Sequence, residues 1–403
     1  MVVSGWSAVG AFGAGRAALA AALSGEVPAA SQVVDRSAGW HRRGGSRRGL
    51  VAADVDLSAW LDPAPARRMS PPARFAVAAA RQALVDSGLT NADHAETAVV
   101  VGTAFGPACV SEQLVEQILR QGPANASPAL FTESVASAAA GQIALVLGAR
   151  GPSLALTERE ASDLLALAEG ARLVASGAAA RALVVVVDEV TPMLHATLDR
   201  FRALARPEAD GREVARPFDR RRSGGLAAEG AAVLVLETAA AAAARGARPR
   251  ARCVAFARGF DPTAPSWGWG RGAPALARTL ARGLARGGVD RASLELVVSG
   301  ASGAVAGDRL EAAVLREVFG AALPPVAAPK GALGAYGGGH LAAALLAAEG
   351  AAIGGATGFL EADPERGVVP RGRAAPARRL LVSALAAGGA AAWAVLDAAG
   401  EAR

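Results

Sequence analysis

The chain has 403 residues, 52% hydrophobic and 19% charged, which is enough apolar material for a large core shared by two half-domains and too much for a disordered chain. Two cysteines, Cys109 and Cys253, and the scattered His41, His94, His195 and His340 exclude a disulfide-framed miniprotein and show no metal-ligand spacing. The formal charge of +6 is carried almost wholly by arginine, with Lys330 the sole lysine, and no basic stripe with interleaved aromatics points to nucleic acid.

In chain order, the N-terminus lacks a basic leader and Arg16 interrupts its first apolar stretch, so a cytoplasmic protein is expected. The run His41-Arg42-Arg43-Gly44-Gly45-Ser46-Arg47-Arg48 reads as a solvated loop or as a landing pad for an acidic partner. The β-branched runs Thr97–Val101, Ala182–Val187, Ala232–Leu236 and Leu294–Val298 predict buried strands. Helices are predicted over Pro72–Ser87, Val110–Gln121, Ala161–Ser176 and Arg309–Val318, each stopped by a glycine. Strand and helix in alternation predict an α/β fold with mostly parallel sheets. The element order runs twice, over residues 1–245 and 250–403, with an alanine-rich helix at Thr238–Ala244 and the Arg245–Arg252 turn at the join. The longest uncharged run, Leu380–Leu396, is cut by Gly388-Gly389 and reads as a buried hairpin; no membrane span is expected.

Several local patterns then resemble, in order, the β-ketoacyl synthase family. Val2-Val3-Ser4-Gly5 resembles its first strand, and Gly151–Leu156 (GPSLAL) the strand that delivers its nucleophile. Arg216-Pro217-Phe218-Asp219, Glu229–Ala232 and Val233–Glu237 resemble its PFD…GEGA…LVLE signature. Gly307–Glu311 with Val318-Phe319-Gly320, and Ala328-Pro329-Lys330 with the Gly337-Gly338-Gly339 turn, resemble its GD…E…FG helix and its lysine loop. The resemblance implies a thiolase-like, duplicated α-β-α-β-α layered fold.

It also implies chemistry that this sequence lacks. A condensing enzyme of the family uses a cysteine thiolate at a helix N-terminus and two histidines that stabilise the enolate left by decarboxylation. Those positions fall here on Glu160, Gly300 and Ala335, and the loop that carries a gating phenylalanine reads Ala386-Ala387-Gly388-Gly389. The sequence is similar to the chain-length-factor (ketosynthase-β) subunits of type II polyketide synthases. That resemblance implies a non-catalytic subunit, paired with an active ketosynthase through an edge strand at Gly151–Leu156 or its neighbour. The pair would condense malonyl units on an acyl carrier protein with no cofactor, and this subunit would shape the tunnel.

Tunnel and interface candidates are Ala104, Phe105, Ala108, Cys109, Gln113 and Glu116, together with Arg159 and Ala387 at the nucleophile turn and the stripped gate. Arg159 is expected to fill the acyl tunnel, pairing with Glu158 or Asp163. Lys330 and Glu311 are expected to survive as a buried scaffold ion pair. Carrier-protein docking could draw on Arg42, Arg43, Arg47, Arg48 or Arg202. Three other roles stay open: a malonyl-carrier decarboxylase using Glu160, a purely stabilising subunit, and a homodimeric synthase with chemistry relocated to Cys109 and His340.

Overall fold

The computed structural model describes residues 1–403 except 26–28, 30, 35–41, 53, 91–93, 355–356, 366, 371–372, 375 and 401–403, and the side chains at 373 and 374; His41 thus lies outside the described residues. The main sheet is built from β1 (Val2–Gly10), β2 (Thr97–Gly102), β3 (Ser153–Leu156), β4 (Arg181–Asp188), β5 (Gly230–Glu237), β6 (Ala251–Phe260), β7 (Leu296–Ser299), β8 (Val326–Ala327), β9 (Arg379–Leu385) and β10 (Ala390–Ala398). From edge to edge the order is β8-β7-β9-β10-β6-β1-β5-β4-β2-β3, and the two-residue strand Gly13–Ala14 also pairs with β1.

Both directions from the β1–β6 junction repeat one pattern. In each half the first strand pairs antiparallel with the fifth, the fifth antiparallel with the fourth, and the fourth, second and third run parallel. The sheet is therefore mixed, not mostly parallel. In the second half the antiparallel step is local: β9 and β10 form a tight hairpin whose turn places Gly388 and Gly389 at φ 95° and 102°, which only glycine adopts without strain, whereas in the first half β4 and β5 are joined by the long connection 189–229.

The layers are completed by α1 (Pro71–Ser87), α2 (Ala108–Gln121), α3 (Ser162–Ala175), α4 (Ala273–Arg286), α5 (Val305–Phe319) and α6 (Gly337–Ala348). Successive residues of a strand point to opposite faces. Ala98, Val100, Val184, Val186, Leu234 and Leu236 face inward, where they join one core with α3 and α6. Their neighbours Val99, Val101, Leu183, Val185, Val233 and Val235 pack outward against α1. In the second half, Val297, Leu381, Trp393 and Val395 pack outward against α4 and α5. Both faces of the central strands β2, β4 and β5 are covered, which is why they read as unbroken apolar runs, whereas the edge strand β3 is partly exposed. The result is five layers of helix, sheet, helix, sheet and helix.

The triple glycine at 337–339 forms the first turn of α6, not a free turn. A Cβ at Gly338 would sit 2.9 Å from Ala232 Cβ, and one at Gly337 3.0 Å from Val186 Cγ1. Small residues here let the helix settle onto β4 and β5, offsetting the helix-propensity cost of glycine. No single helix among the described residues is long and apolar enough to cross a membrane.

Candidate functional site

The site begins where β3 ends. The chain turns through Thr157 and Glu158, and Arg159 takes φ 49°, a left-handed conformation rarely adopted by a side-chain-bearing residue. A short 3-10 turn over Arg159–Ala161 then leads into α3. The Ser162 hydroxyl pins the turn by donating to the Thr103 carbonyl (2.9 Å) and accepting from the Glu158 N–H (2.8 Å). Strain held in this way by surrounding contacts marks places where a fold aims a side chain.

The aimed side chain is Glu160. Its carboxylate accepts the Ala387 N–H at 3.1 Å, so the elbow is tied to the β9–β10 hairpin 227 residues away. Glu160 and Ala387 both line a cavity of about 520 Å³, together with Ala104, Phe105, Arg159, Lys330 and Ala335. Of the site and tunnel candidates from sequence, those seven therefore meet around one space, and the docking candidate Arg202 stands in its wall as well. Gly300 and Glu311 lie outside it, as do the α2 residues: Ala108 and Cys109 are half-buried, while Gln113 and Glu116 are exposed, Glu116 paired with Arg120 at 2.8 Å. Among the described residues, Arg159 pairs with neither Glu158 nor Asp163, so its charge stands in the cavity wall.

Behind the wall lies a buried charge cluster anchored by Lys330, which is 1% exposed. The expected direct ion pair with Glu311 is absent. Glu311 accepts the Ser299 hydroxyl at 2.7 Å, and Lys330 acts on it only as a minor charge at longer range. Lys330 instead acts on Asp163: burial pushes Asp163 up to about 7, and the Lys330 ammonium is the main influence opposing burial. Asp188 is raised to about 6 by burial, held back by the N–H groups of Ala104 and Gly337 and by the Thr103 hydroxyl. Glu189 is raised to about 7 by burial, and its carboxylate accepts the Cys109 N–H (2.9 Å) at the start of α2.

Asp163 Oδ2 lies 3.2 Å from His340 Nδ1, with both side chains wholly buried. Neither atom has an aligned hydrogen-bond partner. Burial, and then Lys330, holds His340 well below the usual histidine range, so its ring is neutral. This pair was not visible in sequence because its members are 177 positions apart in apolar helices. Asp188 and Glu189 did leave a signal: two acids stand directly at the C-terminal end of an apolar run.

Among the described residues, the cavity wall carries no thiol: neither cysteine lines it. Burial and then the charges of Glu189 and Glu112 raise the Cys109 thiol above its ordinary value, and burial pushes Cys253 to about 12. A thiol shifted upward is poorly nucleophilic near neutrality. His340 does not line the cavity, and His195, which does, has its Nε2 3.0 Å from the Arg48 carbonyl. The homodimeric scheme through Cys109 and His340 therefore has a thiol shifted away from its thiolate form and a buried imidazole, neither of which lines the cavity. Intact-mass measurement after incubation with an acyl thioester is expected to show no adduct; an adduct at Cys109 would reverse this conclusion.

The cationic loop at 42–48 is also committed internally. Arg42 pairs with the buried Asp199 at 3.1 Å, and the N–H groups of Arg47 and Arg48 donate to Glu213 (2.8 and 3.1 Å). Of its four arginines, Arg43 and Arg47 alone are exposed, so the run is a structured strap more than a landing pad.

Comparison with known proteins agrees with this architecture. Residues 12–242 match the family model for the β-ketoacyl synthase N-terminal domain. The chain is 34% identical over 221 residues to 3-oxoacyl-[acyl-carrier-protein] synthase 2 of Synechocystis sp., covering 53% of this chain and 52% of that protein, so it spans about half the length of that relative. It is 30% identical over 336 residues to the actinorhodin polyketide putative β-ketoacyl synthase 1 of Streptomyces coelicolor, covering 79% of this chain and 72% of that one. Among solved structures, the ishigamide ketosynthase/chain length factor superposes with a TM-score of 0.87 at 28% identity, covering 98% of each chain. The chain belongs to the β-ketoacyl synthase family, and within it resembles the ketosynthase and chain-length-factor proteins of polyketide synthases.

Proposed function

We propose that this chain is the non-catalytic, chain-length-factor-like partner of an active ketosynthase in a type II polyketide synthase. One observation carries the reading. A cavity of about 520 Å³ stands beside Glu160 and Ala335, and the resemblance aligns the family's three reacting positions with Glu160, Gly300 and Ala335. A fold kept without its chemistry serves a neighbour's reaction: here, decarboxylative Claisen condensation on an acyl carrier protein, with this subunit bounding the growing chain.

The means of pairing is an open edge. β3 ends the sheet, and its Leu154 is 37% exposed. Phe131 and Leu145 are exposed at 62% and 79% in the helical segments leading to it. An unpaired strand edge with apolar surface around it is a template for a second sheet. A ketosynthase edge pairing there would cover α2 and its candidates Ala108, Cys109, Gln113 and Glu116, while Ala104 and Phe105 would connect that interface to the cavity.

The decarboxylase alternative is disfavoured by the Glu160–Ala387 contact. An amide donor that would stabilise an enolate oxygen is already occupied by a carboxylate.

The test is co-expression with an active ketosynthase. A one-to-one complex is expected to elongate malonyl-carrier protein, with neither subunit active alone. Ala155→Pro, which removes a β3 backbone donor, is expected to dissociate the pair. Elongation by the isolated chain would overturn the proposal.

A further inference from the structure

Two arginines border the cavity from strained positions. Among the described residues three non-glycine residues have positive φ, and two of them, Arg159 at 49° and Arg202 at 58°, line this one space. Such a conformation crowds Cβ against the backbone of any residue that has one. Arg202 closes the helix Pro192–Arg200, its N–H donating to the Asp199 carbonyl at 2.9 Å. It takes the left-handed conformation that Gly88 and Gly148 adopt at the ends of α1 and of the helix Ala138–Leu147. Glycine would hold both arginine turns with less strain, so what the strain retains is the guanidinium. Among the described residues neither guanidinium has an ion-pair or hydrogen-bond partner. The acids of the same wall are committed: Glu160 accepts the Ala387 N–H (3.1 Å), Asp188 the Ala104 N–H (2.6 Å) and Glu189 the Cys109 N–H (2.9 Å).

The same cavity is bordered by the segment Trp267-Gly268-Trp269, which is fastened from two sides. Asp261 accepts from the Thr263 N–H (2.9 Å) and the Gly272 N–H (2.8 Å), closing the base of the loop that carries it. The Gly388 N–H donates to the Gly268 carbonyl at 2.8 Å, tying the segment to the β9–β10 turn beside Ala387. Trp269 lies against the start of α5, where a Cβ at Gly307 would fall 2.6 Å from its Cζ2. Trp267 is 66% exposed and Phe201 59%, and both line the cavity together with Phe105. An indole on a fastened loop offers a flat apolar surface that loses little freedom when a ligand covers it.

We propose that this cavity is a binding site for a free, flat apolar carboxylic acid, whose carboxylate pairs with Arg159 and whose conjugated or aromatic body lies against Trp267. Arg159 is half-buried and Arg202 is exposed next to Phe201, so the first is placed to hold the anion and the second to attract it. A volume of about 520 Å³ suits a small organic ligand. A guanidinium in a partly enclosed, largely apolar wall favours a carboxylate more than one in open water does, because less solvent screens the pair. The acid is a ligand in its own right and not a thioester intermediate: among the described residues no thiol faces the space, and a carboxylate brings the negative charge that a simple acyl thioester lacks. The inference goes beyond the function proposed above and does not depend on pairing with a ketosynthase.

The experiment is a calorimetric titration of the isolated full chain with trans-cinnamate, read alongside tryptophan fluorescence. Saturable one-to-one binding is expected, with cinnamyl alcohol, which keeps the flat body and lacks the charge, weaker by about tenfold or more. Arg159→Gly is expected to lose about tenfold or more in cinnamate affinity while melting no lower than wild type, because glycine relieves the left-handed strain. Trp267→Ala is expected to weaken binding by about threefold or more and to diminish the fluorescence change. Absence of saturable binding, equal affinity for the acid and the alcohol, or unchanged cinnamate affinity in the folded Arg159→Gly protein would each overturn the proposal. The titration contains no ketosynthase, so a failure to pair leaves its result standing, and a failure to bind cinnamate leaves the pairing test untouched.

Discussion

Lys330→Ala is expected to lower unfolding stability by about 1–3 kcal/mol, because the buried carboxyls around it lose a cation that acts on them without a direct ion pair. The loss falls first on Asp163, whose main opposing influence is the Lys330 ammonium, and then on Asp188 and Glu311, on which Lys330 acts less than their hydrogen-bond donors do. The pH dependence follows with a definite sign. Asp163, Asp188, Glu189, Asp308 and Glu311 all have folded-state values raised to between about 6 and about 7. A carboxyl raised by folding is protonated more readily in the native state than in the unfolded chain. Its favourable contribution is complete below the unfolded value near 4 and is lost as pH climbs through the folded value. Wild type is therefore expected to be more resistant to denaturant at about pH 5.5 than at about pH 8, and Lys330→Ala to show a steeper loss across that interval. Denaturant midpoints at the two pH values check both statements; a variant with the wild-type midpoint at the higher pH would remove Lys330 from its assigned role.

The scaffold was legible wherever the burial is symmetric. Runs such as Ala182–Val187 announced strands because both faces of β4 are covered, and Gly88 and Gly122 marked helix ends because they adopt φ of 70° and 84°. Interactions that join distant segments were not legible. The influence of Lys330 on Asp163 depends on how the short helix Lys330–Leu333 is placed against the start of α3, which no local pattern encodes. The same is true of Glu160: its residue type was readable, but its contact with Ala387 requires the elbow and the β9–β10 hairpin to be folded against each other. That contact turns a vacant nucleophile position into a filled one.

Restoring the family's reacting groups with Glu160→Cys, Gly300→His and Ala335→His is expected to give no condensation. The three positions are not equivalent. Ala335 already has a Cβ on the cavity wall, so a ring there has open space ahead of it. The thiol introduced by Glu160→Cys would stand at the start of α3, where the helix dipole favours a thiolate, and slow acylation without turnover is expected of that single variant. Gly300 is different. A Cβ there would lie 2.8 Å from the Ser383 carbonyl oxygen and 3.3 Å from Ala384 Cα. Those atoms belong to β9, whose parallel pairing with β7 at Ser299 and Ser383 fixes the backbone immediately beside residue 300. His340 Nε2, 3.8 Å from the same point, occupies ground that a new ring would need. Overpacking of this kind typically costs about 1–3 kcal/mol and displaces the new side chain from its productive rotamer. The histidine that should stabilise the enolate would therefore be misplaced even in a folded protein. Comparing the triple variant with Glu160→Cys/Ala335→His separates the two causes: equal acylation and equally absent condensation would locate the block at position 300, whereas turnover by the triple variant would mean that this site lost its chemistry by substitution alone.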